Sequence, residues 1–129
     1  MSNDKLDLVS ASITGMSEAL RKREISPVEL VTATLKRIEA LQPRLQCFTT
    51  LTPEYALQRA REAELEITHG RYRGPLHGIP YTLKDVVATK GIRTTFGDPK
   101  GVDYRPQESA TLHTLLEDAG GILLGKVVS

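Results

Sequence analysis

The stretch HGIPYTLKDVV, residues 77–87, is an apolar, strand-like run with a lysine, Lys84, where a buried strand would normally carry another aliphatic residue. Side chains alternate across a strand, so Leu83 lies on one face and Lys84 on the other. Lys84 and Asp85 point to opposite sides in the same way, so they cannot pair directly. From periodicity alone, Lys84 belongs to a sheet face that is exposed to water.

The residues before this strand predict three helices and one strand. Ser26, Pro27 and Glu29 supply an N-cap, a first-turn proline and a capping-box acid, which predict a helix that Gln42-Pro43 ends. The other predicted elements are a helix over 14–23, a strand over 45–51, and a helix from Pro53 to a stop at Gly70.

The residues after it predict an irregular segment over 89–107, a helix capped by Ser109, and a buried strand, ILLG, after Gly120-Gly121. The helix has an apolar seam that places His113 on its exposed side; the seam consists of Leu112, Leu115, Leu116 and Ala119. The alternation of helices and strands predicts an α/β fold: N-terminal helices and part of a mixed sheet covered by helices.

Helices on both faces of such a sheet would change the environment of Lys84. Val86 and Val87 extend the apolar run beyond it, which is typical of a strand buried on both faces. A lysine buried there loses its hydration, and the neutral amine becomes accessible as a base. The sequence therefore leaves two interpretations of Lys84, a water-exposed position and a desolvated site.

A phosphate-loop match, the histidines and Cys47 give weaker evidence for a functional site than Lys84 does. GGILLGKV, residues 120–127, has the spacing of a phosphate-binding loop, but a helix precedes it and a strand occupies its spacer, so the match is accidental. The histidines are scattered rather than set at metal-ligand spacing, so no metal site is predicted. Cys47 is interpreted as a small buried hydrophobic residue in a strand.

Composition excludes several classes of function. Seventeen basic and sixteen acidic residues leave a net charge of +1, and tryptophan is absent, so nucleic-acid binding is not predicted. No apolar run approaches the length of a membrane span, and no secretory signal is recognised at the N-terminus. A single cysteine predicts a reducing, cytoplasmic location.

The segment GPLHGIPYTLKDVVATKGIRTTFGD, residues 74–98, closely resembles the lysine-bearing segment of the amidase signature family. In that family a Gly-Pro-Leu-x-Gly-Ile/Val-Pro run leads to a Lys-Asp pair and then to Lys-Gly-x-x-Thr-Thr. The runs ATLHTLLEDAGGILLGK, residues 110–126, and ISPVELVTATLKRIEALQPRLQCFTTL, residues 25–51, are similar to the helices and strands on either side. The resemblance covers nearly the whole chain.

The resemblance implies hydrolysis of carboxylic amides by a Ser-Ser-Lys triad without metal or organic cofactor. Lys84 matches the catalytic lysine, which takes a proton from a bridging serine, and Asp85 matches a supporting residue. The two serines belong to a Gly/Ser-rich segment further downstream, and the 129 residues contain no Gly-Ser-Ser-Gly run. The chain is therefore expected to be inactive alone.

The expected domain organisation is residues 1–129 as the N-terminal part of an amidase signature domain. Residues 1–72 would form a helical lead-in with one strand, and residues 73–129 the lysine-bearing strand, a loop, a helix and a strand. The expected partners are a small-molecule amide substrate in the complete enzyme, and the missing C-terminal portion or another amidase chain. The alternative is a non-catalytic, truncated paralogue that binds another protein.

Overall fold

The computed structural model of the chain describes residues 10–98 and 103–128. Its elements are α1 (Ile13–Arg21), α2 (Pro27–Leu45), β1 (Phe48–Leu51), α3 (Pro53–Thr68), β2 (Pro80–Lys84), α4 (Thr111–Asp118) and β3 (Ile122–Val127). Their order is the predicted one. The N-terminal residues considered for a signal and residues 99–102 of the irregular segment lie outside the described residues.

The three strands form one mixed sheet in the order β1-β3-β2. The central strand, β3, pairs antiparallel with β1 and parallel with β2. In the parallel register Leu83 lies opposite Lys126, and Lys84 lies opposite Val127. The predicted fold class, a partial mixed sheet with helical cover, is confirmed.

Helix α2 begins as predicted and ends later than predicted. The Glu29 backbone N–H donates to the Ser26 hydroxyl over 3.0 Å, and the Ser26 N–H donates to the Glu29 carboxylate over 2.9 Å, which completes the capping box. The predicted stop at Gln42-Pro43 is wrong, because the helix continues through Pro43 to Leu45. A proline in the last turn removes only one intrahelical hydrogen bond. The helix ends at Gln46, which adopts the left-handed conformation.

The predicted orientation of α4 is also wrong. Leu112 and Leu115 are 51% and 62% exposed, whereas His113 is 3% exposed. The Tyr81 hydroxyl on β2 lies 2.9 Å from His113 Nδ1, so the side of α4 that faces the sheet carries a polar pair. Ser109 does not cap this helix: its hydroxyl accepts a hydrogen bond from the Lys90 N–H over 2.9 Å, and Ala110 is the N-cap.

Two apolar clusters hold the helices to the sheet. One joins α2, α3 and β3, and its buried members are Val31, Ala56, Ala60, Ala63, Ile122 and Leu124. The other joins α1, α2 and the start of β2, and its buried members are Ala19, Leu20, Ile25, Leu30 and Ile79. The alanines of α3 allow that helix to approach β3 closely. The central strand is buried from Ile122 to Lys126.

Among the helices of the described residues, none combines the length and the apolar character that a membrane span requires.

Candidate active site

Lys84 is the last residue of β2, and its side chain is exposed. The interpretation that Lys84 is buried within this chain is therefore wrong. Alternation correctly placed it on the face opposite Leu83, which is 6% exposed, but in the described residues no helix covers Lys84. Its carbonyl accepts a hydrogen bond from the Val87 N–H over 3.0 Å, so the chain turns directly after it. The amine projects from the end of the strand and is accessible.

Asp85, the next residue, is fully buried. Its carboxylate accepts hydrogen bonds from the backbone N–H of Thr95, over 3.1 Å, and from the Thr95 hydroxyl. Its backbone N–H donates to the Val127 carbonyl over 2.8 Å, and its carbonyl accepts from the Phe96 N–H over 2.8 Å. Asp85 is thus fixed on its backbone and on its side chain.

The buried lysine of this region is Lys126 on β3, not Lys84. Its Nζ atom lies 4.0 Å from Asp85 Oδ1, and neither side chain has any exposed area. Nζ also donates to the Val87 carbonyl over 2.7 Å and to the Thr94 hydroxyl over 2.9 Å. Burial lowers the pKa of the Lys126 ammonium from its ordinary value, and the carboxylate opposes this shift.

Lys126 is not among the predicted site residues, because the sequence shows it only within a phosphate-loop match and at the end of a segment similar to the family. Its position inside a strand shows that GGILLGKV does not form such a loop. A usable signal was present, since Lys126 is a single charge within a buried apolar strand, and buried charges are normally paired.

The segment after Asp85 crosses the end of the sheet. Arg93 Nη1 donates to the Thr49 carbonyl over 3.2 Å and to the Thr50 hydroxyl over 3.3 Å, which ties the segment to β1. Phe96 has a φ of 56°, and its ring stacks on that of Tyr104 with centroids 6.1 Å apart. A bulky residue at positive φ is held by its surroundings. This segment therefore has a defined conformation beside Lys84.

His77 plays a structural role within the chain. The Arg73 N–H donates to His77 Nδ1 over 2.9 Å, so Nε2 carries the proton in the neutral ring and donates to Glu66 over 2.8 Å. Burial lowers the pKa of His77. In the described residues no group of three or more histidine, cysteine or acidic side chains is arranged to hold a metal ion.

Cys47 is half-buried and precedes β1, so its predicted position inside a buried strand is wrong. Its Sγ atom lies 3.9 Å from Gln42 Oε1, which is a weak contact at the end of α2.

A lysine therefore ends the second strand of a mixed sheet, and a buried Lys-Asp pair lies next to it. The comparisons with solved structures give the class of fold to which this arrangement belongs. The structure superimposes on native peptide amidase from Stenotrophomonas maltophilia with a TM-score of 0.87 and 35% identity, over 94% of this chain and 25% of that one. It matches fatty acid amide hydrolase with a TM-score of 0.85 and 26% identity, over 93% of this chain and 21% of that one.

The sequence comparisons agree with the structural ones. The family model named Amidase matches residues 29–128. The chain is 39% identical over 121 residues to a subunit of the glutamyl-tRNA(Gln) amidotransferase of Carboxydothermus hydrogenoformans, and the match covers 94% of this chain and 25% of the relative. It is 36% identical over 115 residues to a putative amidase of Mycobacterium tuberculosis, and this match covers 89% of this chain and 24% of the relative.

The chain therefore belongs to the amidase family. It spans about a quarter of the length of the curated relatives that it matches.

Proposed function

We propose that residues 1–129 form the N-terminal part of an amidase signature domain and that they supply Lys84 as the base for hydrolysis of a carboxylic amide. In the reaction the C–N bond breaks, the acyl carbon gains the hydroxyl of water, and the departing nitrogen gains a proton. Lys84 receives a proton from a serine of the remaining part of the domain and so activates the nucleophile. Asp85 is the supporting residue: its buried carboxylate, bonded to Thr95, fixes the backbone directly after Lys84.

The observation that carries this proposal is the exposed amine of Lys84 at the end of β2, on a chain whose family and fold are those of amidases. An amine acts as a base only when it is neutral, and an enzyme achieves this by excluding water from it. In the proposal, the remaining part of the domain covers Lys84 and provides both serines. The isolated chain is then inactive, because its sequence lacks the Gly/Ser-rich segment.

Amide hydrolysis and glutamine-dependent transamidation both fit this role. One relative is named as a peptide amidase and another as part of a glutamyl-tRNA(Gln) amidotransferase, and both reactions open a carboxylic amide at the acyl carbon. The proposed substrate class is therefore a carboxylic amide, and the proposed partner is the polypeptide that completes the domain.

A chimaera tests the proposal. In it, residues 1–128 of this chain replace the matching quarter of the Stenotrophomonas maltophilia peptide amidase. We expect the chimaera to hydrolyse peptide amides and the isolated chain to release no ammonia from them. Activity of the isolated chain would refute the predicted dependence on downstream serines. A folded chimaera without activity on peptide, aryl or alkyl amides would refute the proposed function.

A second function, a binding module without catalysis, is favoured by one observation. Leu112 and Leu115 of α4 are both more than half exposed, although α4 packs on the sheet through His113. Where exposed apolar side chains of one helix face form a contiguous patch, that patch can serve as a docking surface for another polypeptide. A chain that forms a stable complex with a complete amidase, without altering its turnover, would support this function over the catalytic one.

A further inference from the structure

The buried pair of Asp85 and Lys126 joins two neighbouring strands at the end where Lys84 emerges. Lys126 comes from β3, and Asp85 is the first residue after β2. A buried charge is tolerated when it is paired and hydrogen-bonded, and this pair meets both conditions. The ammonium donates two hydrogen bonds, to Val87 and Thr94, and lies 4.0 Å from the carboxylate, which accepts two hydrogen bonds from Thr95.

The partners of the pair all belong to the segment that follows Lys84. The ammonium holds the Val87 carbonyl and the Thr94 hydroxyl, while the carboxylate holds Thr95. The acceptors at positions 87 and 94 are well separated along the segment, so a single ammonium ties its two parts together at the end of the sheet. The Val87 N–H in turn donates to the Lys84 carbonyl over 3.0 Å. Contacts of Lys126 thus reach the backbone of Lys84 through one intervening residue.

The presence of a charged pair at this buried position indicates a role beyond stabilising the fold. Apolar residues of similar volume in place of a buried ion pair often leave stability unchanged or raise it, so stability alone does not account for this pair. A pair with fixed hydrogen bonds specifies one conformation of the segment, including the positive φ of Phe96, whose N–H is bonded to the Asp85 carbonyl.

We propose that Lys126 is a positioning residue: through Asp85, Val87 and Thr94 it fixes the segment after β2 and thereby the direction in which Lys84 leaves the sheet. The inference rests on the proposed function of Lys84 as the base. Lys126 itself has no exposed area and contacts no substrate in this arrangement.

The test compares a single and a double variant of the full chain. Lys126→Met leaves Asp85 buried without its partner. We expect this variant to have a lower thermal midpoint and an altered conformation of the segment after β2. The double variant Asp85→Asn/Lys126→Met removes both charges and recovers the thermal midpoint, but it still lacks the bonds from Nζ to Val87 and Thr94. Lys90→Met, an exposed lysine of the same segment, is the matched control.

Amide hydrogen exchange reports the conformation of the segment directly. In the double variant we expect the amides of Val87, Thr95 and Phe96 to exchange at least ~10-fold faster than in the parent. The amide of Ile122, bonded to the Ile79 carbonyl at the other end of the sheet, is expected to keep its parental rate. Parental exchange of all three segment amides would overturn the proposal. So would a double variant that does not fold, because the pair would then be a requirement of the fold.

The same variants in the chimaera separate positioning from catalysis. We expect both Lys126 variants to lower kcat at least ~10-fold with KM within about twofold of the parent, since the base is displaced while substrate binding is kept. Parental kcat together with fast segment exchange would overturn the positioning role. If instead Lys84→Ala keeps parental turnover, the proposed function fails, and the exchange measurement still decides whether Lys126 fixes the segment.

Discussion

The hydroxyl of Tyr81 on β2 lies 2.9 Å from Nδ1 of His113 on α4, and this contact sets the orientation of the helix. It turns His113 towards the sheet and leaves Leu112 and Leu115 on the outside. The sequence pattern of α4 predicts His113 outside and all four apolar residues of the seam inside, whereas only Leu116 and Ala119 of that seam are half-buried. The difference has consequences for stability and for pH dependence.

Leu115→Ala is predicted to change the free energy of unfolding of the chain by less than ~0.5 kcal/mol, because the side chain is already 62% exposed. Leu124→Ala, in the central strand and 3% exposed, is the comparison and should cost about 2–5 kcal/mol. Urea denaturation measures both. A loss for Leu115→Ala as large as that for Leu124→Ala would show that α4 packs with its leucines inward.

The two buried histidines predict that the chain is less stable in mild acid. Burial lowers the pKa of both His77 and His113 below the ordinary value of 6.5. The unfolded chain therefore binds protons that the folded chain does not, and the free energy of unfolding falls as the pH drops below about 6.5. Urea midpoints at pH 7.5 and pH 5.5, at constant ionic strength, measure the effect.

His113→Gln isolates one contribution to this pH dependence. Glu117, whose carboxylate lies 3.4 Å from His113 Nε2, has a pKa raised by burial, so its protonation in acid stabilises the fold and opposes the histidines. His113→Gln removes one of the two groups that destabilise the fold in acid. We therefore expect the free energy of unfolding to fall less between pH 7.5 and pH 5.5 in this variant than in the parent. His69→Gln, at an exposed position, controls for the substitution itself. An unchanged loss in His113→Gln would contradict this assignment.

Gly120→Ala is predicted to be far more destabilising than Gly70→Ala, although both glycines have positive φ, 90° and 79°. At Gly70 nothing lies within 4 Å of an added β-carbon, so the cost is the backbone strain alone, about 1–2 kcal/mol. At Gly120 an added β-carbon would overlap Cδ2 of His77, which adds roughly 1–3 kcal/mol of overpacking. Thermal unfolding compares the two variants, and equal losses would contradict the close packing of Gly120 on His77.

Local features of this chain are predictable from the sequence, and features that depend on the sheet are not. The capping box at Ser26 involves only residues three positions apart, and it is found as predicted. The alternation of Leu83 and Lys84 is local as well. Whether Lys84 is covered depends on what packs over the strand, and sequence alternation carries no such information. The pairing of Asp85 with Lys126 depends on the register of two strands, and the inward turn of His113 depends on Tyr81, 32 positions away.

The most direct test of Lys84 as the base is the turnover of the chimaera with Lys84→Ala. We predict that kcat of the chimaera falls by at least ~1,000-fold, or about 4 kcal/mol of barrier. In the isolated chain, where Lys84 is exposed, Lys84→Ala should leave the thermal midpoint close to that of the parent. Lys90→Ala, another exposed lysine six residues further on, is the matched control and should keep parental kcat. Turnover of Lys84→Ala within about tenfold of the parent, equivalent to ~1.4 kcal/mol, would contradict the proposed role of Lys84 as the base.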